Sequence, residues 1–307
     1  MYDIIIVGGG PAGMTTALYA LRNGKTALVV EKNGFGGQIT HSPKVENYPG
    51  TLQMSGNEFA DKLLEQILAQ GAEIELETVA AVEDKGEYKV VRTEEGSAFQ
   101  GRAVVLATGV KHRMLGLDGE AELVGEGISF CAVCDGDFYS GQTVCVAGGG
   151  NSALQEAMLL SQKCREVVIL QDLPRCTGEQ KLQDALFKRP NVRAICDTKL
   201  TRLVTEDGAL RGVEFESRIT GARQVVPCDG LFVAIGLIPE NGPFEALAAL
   251  NDWGYFAAGE DCLTRTPGVY VAGDCRAKGV RQLTTAVADG ATAALAACRY
   301  IDTQTDR

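Results

Sequence analysis

The chain has 307 residues, 45% of them hydrophobic and 22% charged, and a net charge of −11. That length suits two domains of ordinary size, the acid excess argues against nucleic acid as a partner, and no apolar run is long enough to span a membrane. With only two histidines, His41 and His112, and ten scattered cysteines, a histidine triad, a histidine-rich metal site and a secreted disulfide framework are all disfavoured. The N-terminus enters a strand without a basic leader, so a reducing, cytoplasmic location is expected.

In chain order, Ile4-Ile5-Ile6-Val7 is a buried strand and Gly8-Gly9-Gly10-Pro11-Ala12-Gly13 a glycine loop. A helix to about Arg22 follows, then a second strand from Thr26 to Val30, closed by Glu31. This is the opening of a doubly wound nucleotide fold. Gly8 makes the turn, Gly10 lets the backbone approach a pyrophosphate, and Gly13 lets helix and strand pack. The helix N-terminus at Pro11 and Ala12 then faces the phosphates with free N–H groups. Glu31 stands where a carboxylate grips a ribose 2′-hydroxyl. Further on, Ala103 to Leu106 is a buried strand that ends in the small-residue turn Ala107-Thr108-Gly109.

The unit then recurs. Thr143 to Ala147 is a strand, Gly148-Gly149-Gly150-Asn151-Ser152-Ala153 a glycine loop, and the residues to about Gln162 a helix before the strand Glu166 to Leu170. One such loop is weak evidence; two, each between strand and helix, predict two dinucleotides. Gly230 to Gly236 reads as a returning strand, and the segment from Leu237 to Pro243, with two prolines and a glycine, as a linker. Val269-Tyr270-Val271-Ala272 is a late strand ending in Gly273-Asp274. An aspartate there lies in the ligand crevice of such a fold, placed to hold a ribitol hydroxyl. Arg281-Gln282 then open an Ala-rich helix to about Tyr300, whose N-terminus would stabilise a reduced flavin. The first loop thus needs the last segment to complete an FAD site. The expected fold is α/β with two Rossmann-like domains, the second inserted in the first: 1–113, 114–241 and 242–307.

Between the Ala107-Thr108-Gly109 turn and the second glycine loop lies Cys131-Ala132-Val133-Cys134-Asp135-Gly136-Asp137. A structural zinc would need a second ligand pair, which neither the other cysteines nor the histidines supply. A chance pair of buried thiols is the plainer alternative. A redox dithiol accounts better for the spacing, which closes a small reducible ring. Asp135 is the expected acid, since a desolvated carboxyl can protonate a departing thiolate where no histidine is near; a helix or turn cap is its alternative role. Asp137 is the reserve.

These motifs, with Gly36-Gly37-Gln38-Ile39, Val45-Glu46-Asn47-Tyr48-Pro49-Gly50 and Arg281-Gln282, resemble low-molecular-weight bacterial thioredoxin reductases, a family of flavoprotein disulfide reductases. The likeness covers essentially the whole chain. It implies FAD, thioredoxin or a similar protein disulfide as substrate, a homodimer, and rotation of one domain against the other. Carried over by position, Gly37, Gln38, Asn47, Thr108 and Gly109 belong to the flavin site or the hinge. Asp274, Arg281 and Gln282 would hold the ribityl chain and ring.

One segment departs from that family. A histidine and an arginine cluster for the NADPH 2′-phosphate are replaced by Gln171-Asp172-Leu173-Pro174-Arg175. A carboxylate repels the phosphate, and the bidentate guanidinium contacts are gone. Asp172, set nearly as far past Gly148 as Glu31 is past Gly8, suggests a ribose contact and NADH. NADPH through another phosphate site stays open, and so does a protein donor such as reduced ferredoxin, as in a branch of the family that has lost the nicotinamide site. A non-catalytic flavin-binding homologue is the reading from another class.

Overall fold

A computed structural model describes residues 1–42 and 44–305. The chain forms two units, 1–111 with 238–307 and the intervening 112–237.

The first unit begins with β1 (Tyr2–Val7), α1 (Pro11–Arg22), β2 (Ala27–Glu31), α2 (Gly56–Ala69), β3 (Glu73–Leu76), β4 (Val79–Asp84), β5 (Lys89–Thr93) and β6 (Ala98–Leu106). Strands β3, β2, β1 and β6 lie parallel in that order, and β5 and β4 extend the sheet antiparallel. Ile4, Ile5 and Ile6 are all fully buried, which explains the unbroken apolar run: a parallel sheet is covered on both faces. Ile4 and Ile6 pack among Met14, Ala17, Ala293 and Ala297, whereas Ile5 and Val7 meet Phe244, Phe256 and Val271.

The chain leaves through β7 (Lys111–His112). The second unit holds β8 (Ile128–Ser129), α3 (Ala132–Asp135), β9 (Thr143–Ala147), α4 (Asn151–Leu160), β10 (Glu166–Leu170), α5 (Gln180–Leu186) and β11 (Val192–Ile195). It continues with β12 (Thr198–Glu206), β13 (Ala209–Ser217), β14 (Arg223–Pro227) and β15 (Gly230–Val233). Its parallel sheet has the order β11-β10-β9-β15-β8, and β12–β14 form an antiparallel meander. α4 covers one face through Ala153, Leu154, Ala157 and Leu160. The meander covers the other through Leu203, Val213 and Phe215.

The return runs through β16 (Leu237–Ile238), paired with β7 in a two-stranded ribbon, to β17 (Val269–Val271) and α6 (Leu283–Thr305). β17 pairs in parallel with the end of β6, so the last part of the chain completes the first sheet. The last helix begins two residues after Arg281 and extends past Tyr300; α4 stops at Leu160, short of Gln162.

α6 crosses α1 closely enough that a Cβ on Gly290 would collide with the Ala12 carbonyl oxygen, while Thr16 Oγ1 donates to the Gly290 carbonyl at 3.2 Å. Overpacking at such a crossing costs about 1–3 kcal/mol. Gly290→Val is therefore expected to lower the urea midpoint of the first unit by that equivalent. An unchanged midpoint in a folded variant would count against this packing.

Candidate redox site and nucleotide loops

Cys131 and Cys134 form a disulfide, with Cα atoms 5.3 Å apart, at the first turn of α3. The turn is built by its own polar groups. Ser129 Oγ accepts the Cys131 N–H at 3.1 Å and donates to Asp135 Oδ2 at 2.6 Å. Asp135 is buried, and its Oδ1 has no hydrogen-bond partner among the described residues. Burial raises its pKa against the opposing effect of the Ser129 hydrogen bond. Its side chain turns to Ser129 and makes no capping hydrogen bond to the turn that follows. Asp137 is exposed and ion-paired with Lys163, and it takes no part in this network. The remaining eight cysteines are free thiols, and all but Cys196 are buried.

The first glycine loop closes the end of β1. Gly8 has φ +110°, and a Cβ there would strike the Ala107 carbonyl oxygen; only glycine fits. Gly13 is fixed in the same way by the Gly8 carbonyl. Glu31 Oε2 accepts the Gly9 N–H at 2.6 Å. Gly10 caps α1, Pro11 fills its first position, and the space outside Gly10 is open. The Gly36–Gly37 turn lies over the loop, with Gly36 N–H donating to the Gly9 carbonyl at 2.9 Å. Gln38 is exposed just beyond it.

The late segment comes to the same place, since a Cβ on Gly273 would lie 2.8 Å from the Ala12 Cβ. Next to it, Asp274 Oδ1 is buried with no hydrogen-bond donor among the described residues, and Lys278 lies 3.9 Å away. Burial raises its pKa, with Lys278 and Arg281 opposing. Arg281 donates to the Asp274 carbonyl at 3.2 Å and stacks 4.2 Å from the Tyr255 ring centroid. Asn47 donates to Gln282 at 3.2 Å. Thr108 donates to Asn241 at 2.7 Å, and Gly109 is open on its outer side. An open glycine loop, a carboxylate at the end of β2 and a buried acceptor lacking a hydroxyl donor fit FAD.

The second loop repeats the first. Gly148 has φ +117°, and a Cβ there would lie 2.5 Å from the Ala234 carbonyl oxygen. Gly150 caps α4, Asn151 and Ser152 are exposed at its start, and Ala153 is fully buried beneath. The register corrects the part expected of Asp172. Gly8 N–H bonds to the Val30 carbonyl and Gly148 N–H to the Leu170 carbonyl, both at 2.9 Å. The residue matching Glu31 is therefore Gln171, whose side chain fills the space above Gly149. Asp172 is one position further out, exposed, and 3.8 Å from Arg218.

Three side chains outside the sequence reading organise these sites. Buried Asn241 donates to the Gly254 and Cys275 carbonyls, each at 2.9 Å, and accepts from Thr108. Asp289 accepts from the Gly273 N–H at 3.0 Å, Arg276 Nε at 2.8 Å and Lys278 at 3.0 Å, anchoring the turn that carries Asp274. Glu156 accepts the Ala132 N–H beside the disulfide. Asn241 sits in a segment that reads as linker, and Asp289 and Glu156 sit inside helices; no local motif marks any of them.

Two nucleotide loops on one chain, one of them sharing its unit with a dithiol flanked by a buried acid, are the equipment of a nucleotide-dependent disulfide oxidoreductase. The family model described as pyridine nucleotide-disulphide oxidoreductase matches residues 2–290. A thioredoxin reductase of Listeria monocytogenes is 38% identical over 302 residues, covering 98% of this chain and 94% of the relative. That of Bacillus subtilis is 36% identical over 302 residues, covering 98% and 95%. The crystal structure of thioredoxin reductase from Streptococcus pyogenes superposes with a TM-score of 0.93 at 36% identity, covering 99% of both chains. The chain belongs to the pyridine nucleotide-disulphide oxidoreductase family, on its thioredoxin reductase branch.

Asp289 is a sensitive point of the first unit. Burial would raise its pKa, but the hydrogen bonds from Arg276 and Lys278 hold it below the ordinary carboxylate range. Its stabilisation is thus fully present above pH ~4 and is lost as acidification passes the lowered pKa. Asp289→Ala leaves two buried cations without this partner and is expected to destabilise the unit by about 3 kcal/mol. Flavin release followed by fluorescence during denaturation measures this, and retention equal to wild type would refute it.

Proposed function

We propose that the chain is an FAD-dependent thioredoxin-disulfide reductase, delivering electrons through Cys131 and Cys134 to thioredoxin or a similar protein disulfide. The observation that carries the reading is the Cys131–Cys134 disulfide beside Asp135, a buried carboxyl whose proton is held more tightly than usual. FAD, when bound, supplies two-electron chemistry. In this reading Gly8, Gly10, Pro11, Ala12 and Gly13 receive the pyrophosphate, Glu31 the ribose, and Asp274 a ribityl hydroxyl. Thr108, Gly109, Gly273, Arg281 and Gln282 line the ring and ribityl end, with Gly37, Gln38 and Asn47 near by.

The chain's own chemistry is thiol–disulfide exchange. One thiolate of the reduced pair, assigned to Cys131, attacks the substrate disulfide and forms a mixed disulfide; Cys134 then displaces the substrate and closes the ring. Each departing sulfur takes one proton. Asp135 is placed to hold and return a proton at Oδ1, the oxygen that Ser129 leaves free. The eight other thiols support a reducing compartment, and we assign the protein to the cytoplasm and, on the family likeness, to a homodimer. The intact dithiol and acid disfavour a non-catalytic role.

Electrons reach the flavin from a donor whose choice turns on the second loop, Gly148, Gly150, Asn151, Ser152 and Ala153. Gln171 and Asp172 carry no guanidinium for a 2′-phosphate, and Arg218 stands beside them only as the exposed partner of Asp172 at 3.8 Å. NADH is therefore favoured over NADPH if a nicotinamide is used; the same weakness of the site favours reduced ferredoxin as the second reading. Anaerobic titration with NADPH, NADH and reduced ferredoxin, followed by flavin bleaching and thioredoxin reduction, decides among them. Bleaching by NADH or ferredoxin at concentrations where NADPH is ineffective is the expected result. Strong preference for NADPH would overturn the donor assignment. A Cys134→Ser variant that binds FAD yet still reduces thioredoxin would overturn the dithiol reading.

A further inference from the structure

Glu156 stands on α4, the helix that begins at the second glycine loop, and its side chain reaches the turn between the two cysteines. Oε2 accepts the N–H of Ala132, the residue that follows Cys131. The peptide on the other side of Cys131 is held by Ser129 Oγ, which in turn donates to Asp135. Both peptides flanking Cys131 therefore end on carboxyl groups, one directly and one through a hydroxyl. α4 packs against α3, α5, β9 and β10. These bring Cys131, Cys134 and Asp135, then Lys181 and Asp184, then Cys145 and Glu166. Of these, Asp135 is the charge that reaches Glu156.

Resting on the reading of Cys131 and Cys134 as a redox pair, we propose that Glu156 is a positioning residue of the dithiol. Its carboxyl fixes the peptide that follows Cys131 and, together with Asp135, sets how the reduced thiols ionise. The physical basis is that two carboxyl groups around one partly buried turn cannot both carry charge freely. Burial, reinforced by the Asp135 charge and only partly offset by the Ala132 N–H, raises the Glu156 pKa to about 7. Below that pH it is mostly neutral. Above it, a negative charge is added beside the thiols, which raises their own pKa and stretches their titration over a wider range. No electron passes through Glu156; its part is proton occupancy and geometry.

Glu156→Gln keeps an oxygen for the Ala132 N–H but cannot ionise; Glu156→Leu loses both. The holoenzyme is reduced with excess dithiothreitol, and iodoacetamide alkylation of Cys131 and Cys134 is followed by peptide mass from pH 5 to 9.5. Wild type is expected to give a stretched profile with an inflection near 7. In Glu156→Gln that inflection should vanish, with roughly 3- to 10-fold faster alkylation at pH 8 from a thiol pKa lowered by up to about one unit. With rates expressed per bound FAD, so that misfolded chains are not counted, thioredoxin reduction should lose kcat with little change in KM in Glu156→Leu and be partly rescued in Glu156→Gln. Reactive cysteines with a profile unchanged by Glu156→Gln would overturn this proposal alone. Wild-type cysteines that resist both reduction and alkylation would remove the redox reading and this proposal with it. Should Glu156→Gln fail to fold, infrared difference spectra of wild type carry the test. A protonated-carboxyl band titrating between pH 6 and 8, shifted to lower pH in Asp135→Asn, supports the proposal; its absence overturns it.

Discussion

Each nucleotide loop is set by one close approach between backbones. At Gly8 the obstacle is the carbonyl of Ala107, at Gly148 that of Ala234; both carbonyls belong to the residue that follows the adjoining parallel strand. The left-handed turn these contacts enforce aims the next helix at the space where a pyrophosphate fits. A side chain at either glycine would push the strand end away and misdirect the helix. The helix start, the carboxylate or amide at the end of the following strand, and the turn laid over the loop all take their positions from this contact.

What lies beyond that contact follows from covering the sheets. The first sheet is complete only when β17 joins β6 and α6 packs on α1, so the inserted unit must return the chain close to where it took it. The β7–β16 ribbon does so by pairing the outgoing and returning segments. In the second unit a meander occupies the face that a further set of helices would otherwise cover. Its inner residues Leu203, Val213 and Phe215 are buried.

The parts legible in the sequence are those written locally. Glycine spacing gave both loops, continuous Ile and Val runs gave the central strands, and the two-residue gap between cysteines gave the dithiol. The meander and β4–β5 were not legible, because half-buried strands such as Thr198–Glu206 mix charged and apolar residues without a sharp period. Asn241, Asp289 and Glu156 act across long stretches of chain on main-chain groups, and sequence spacing carries no trace of that. Asp172 is instructive in another way. Gln171, not Asp172, lies as far past Gly148 as Glu31 lies past Gly8, so count and strand register agree, and a tolerance of one residue is enough to select a side chain that does not stand over the loop.

The segment from Gln171 to Gly178 is tied down by backbone hydrogen bonds and by the buried Gln171 side chain. Thr177 and Gly178 donate to the Gly149 carbonyl, while the Gln171 and Leu173 carbonyls accept from Thr198 and Asp197. A strap held in this way keeps its course whatever its exposed side chains are, so Asp172 and Leu173 can be exchanged by mutation without reshaping the loop beneath. Such a scaffold lets the outer face of the second loop be altered through a few surface substitutions while the dithiol and its buried acid stay intact.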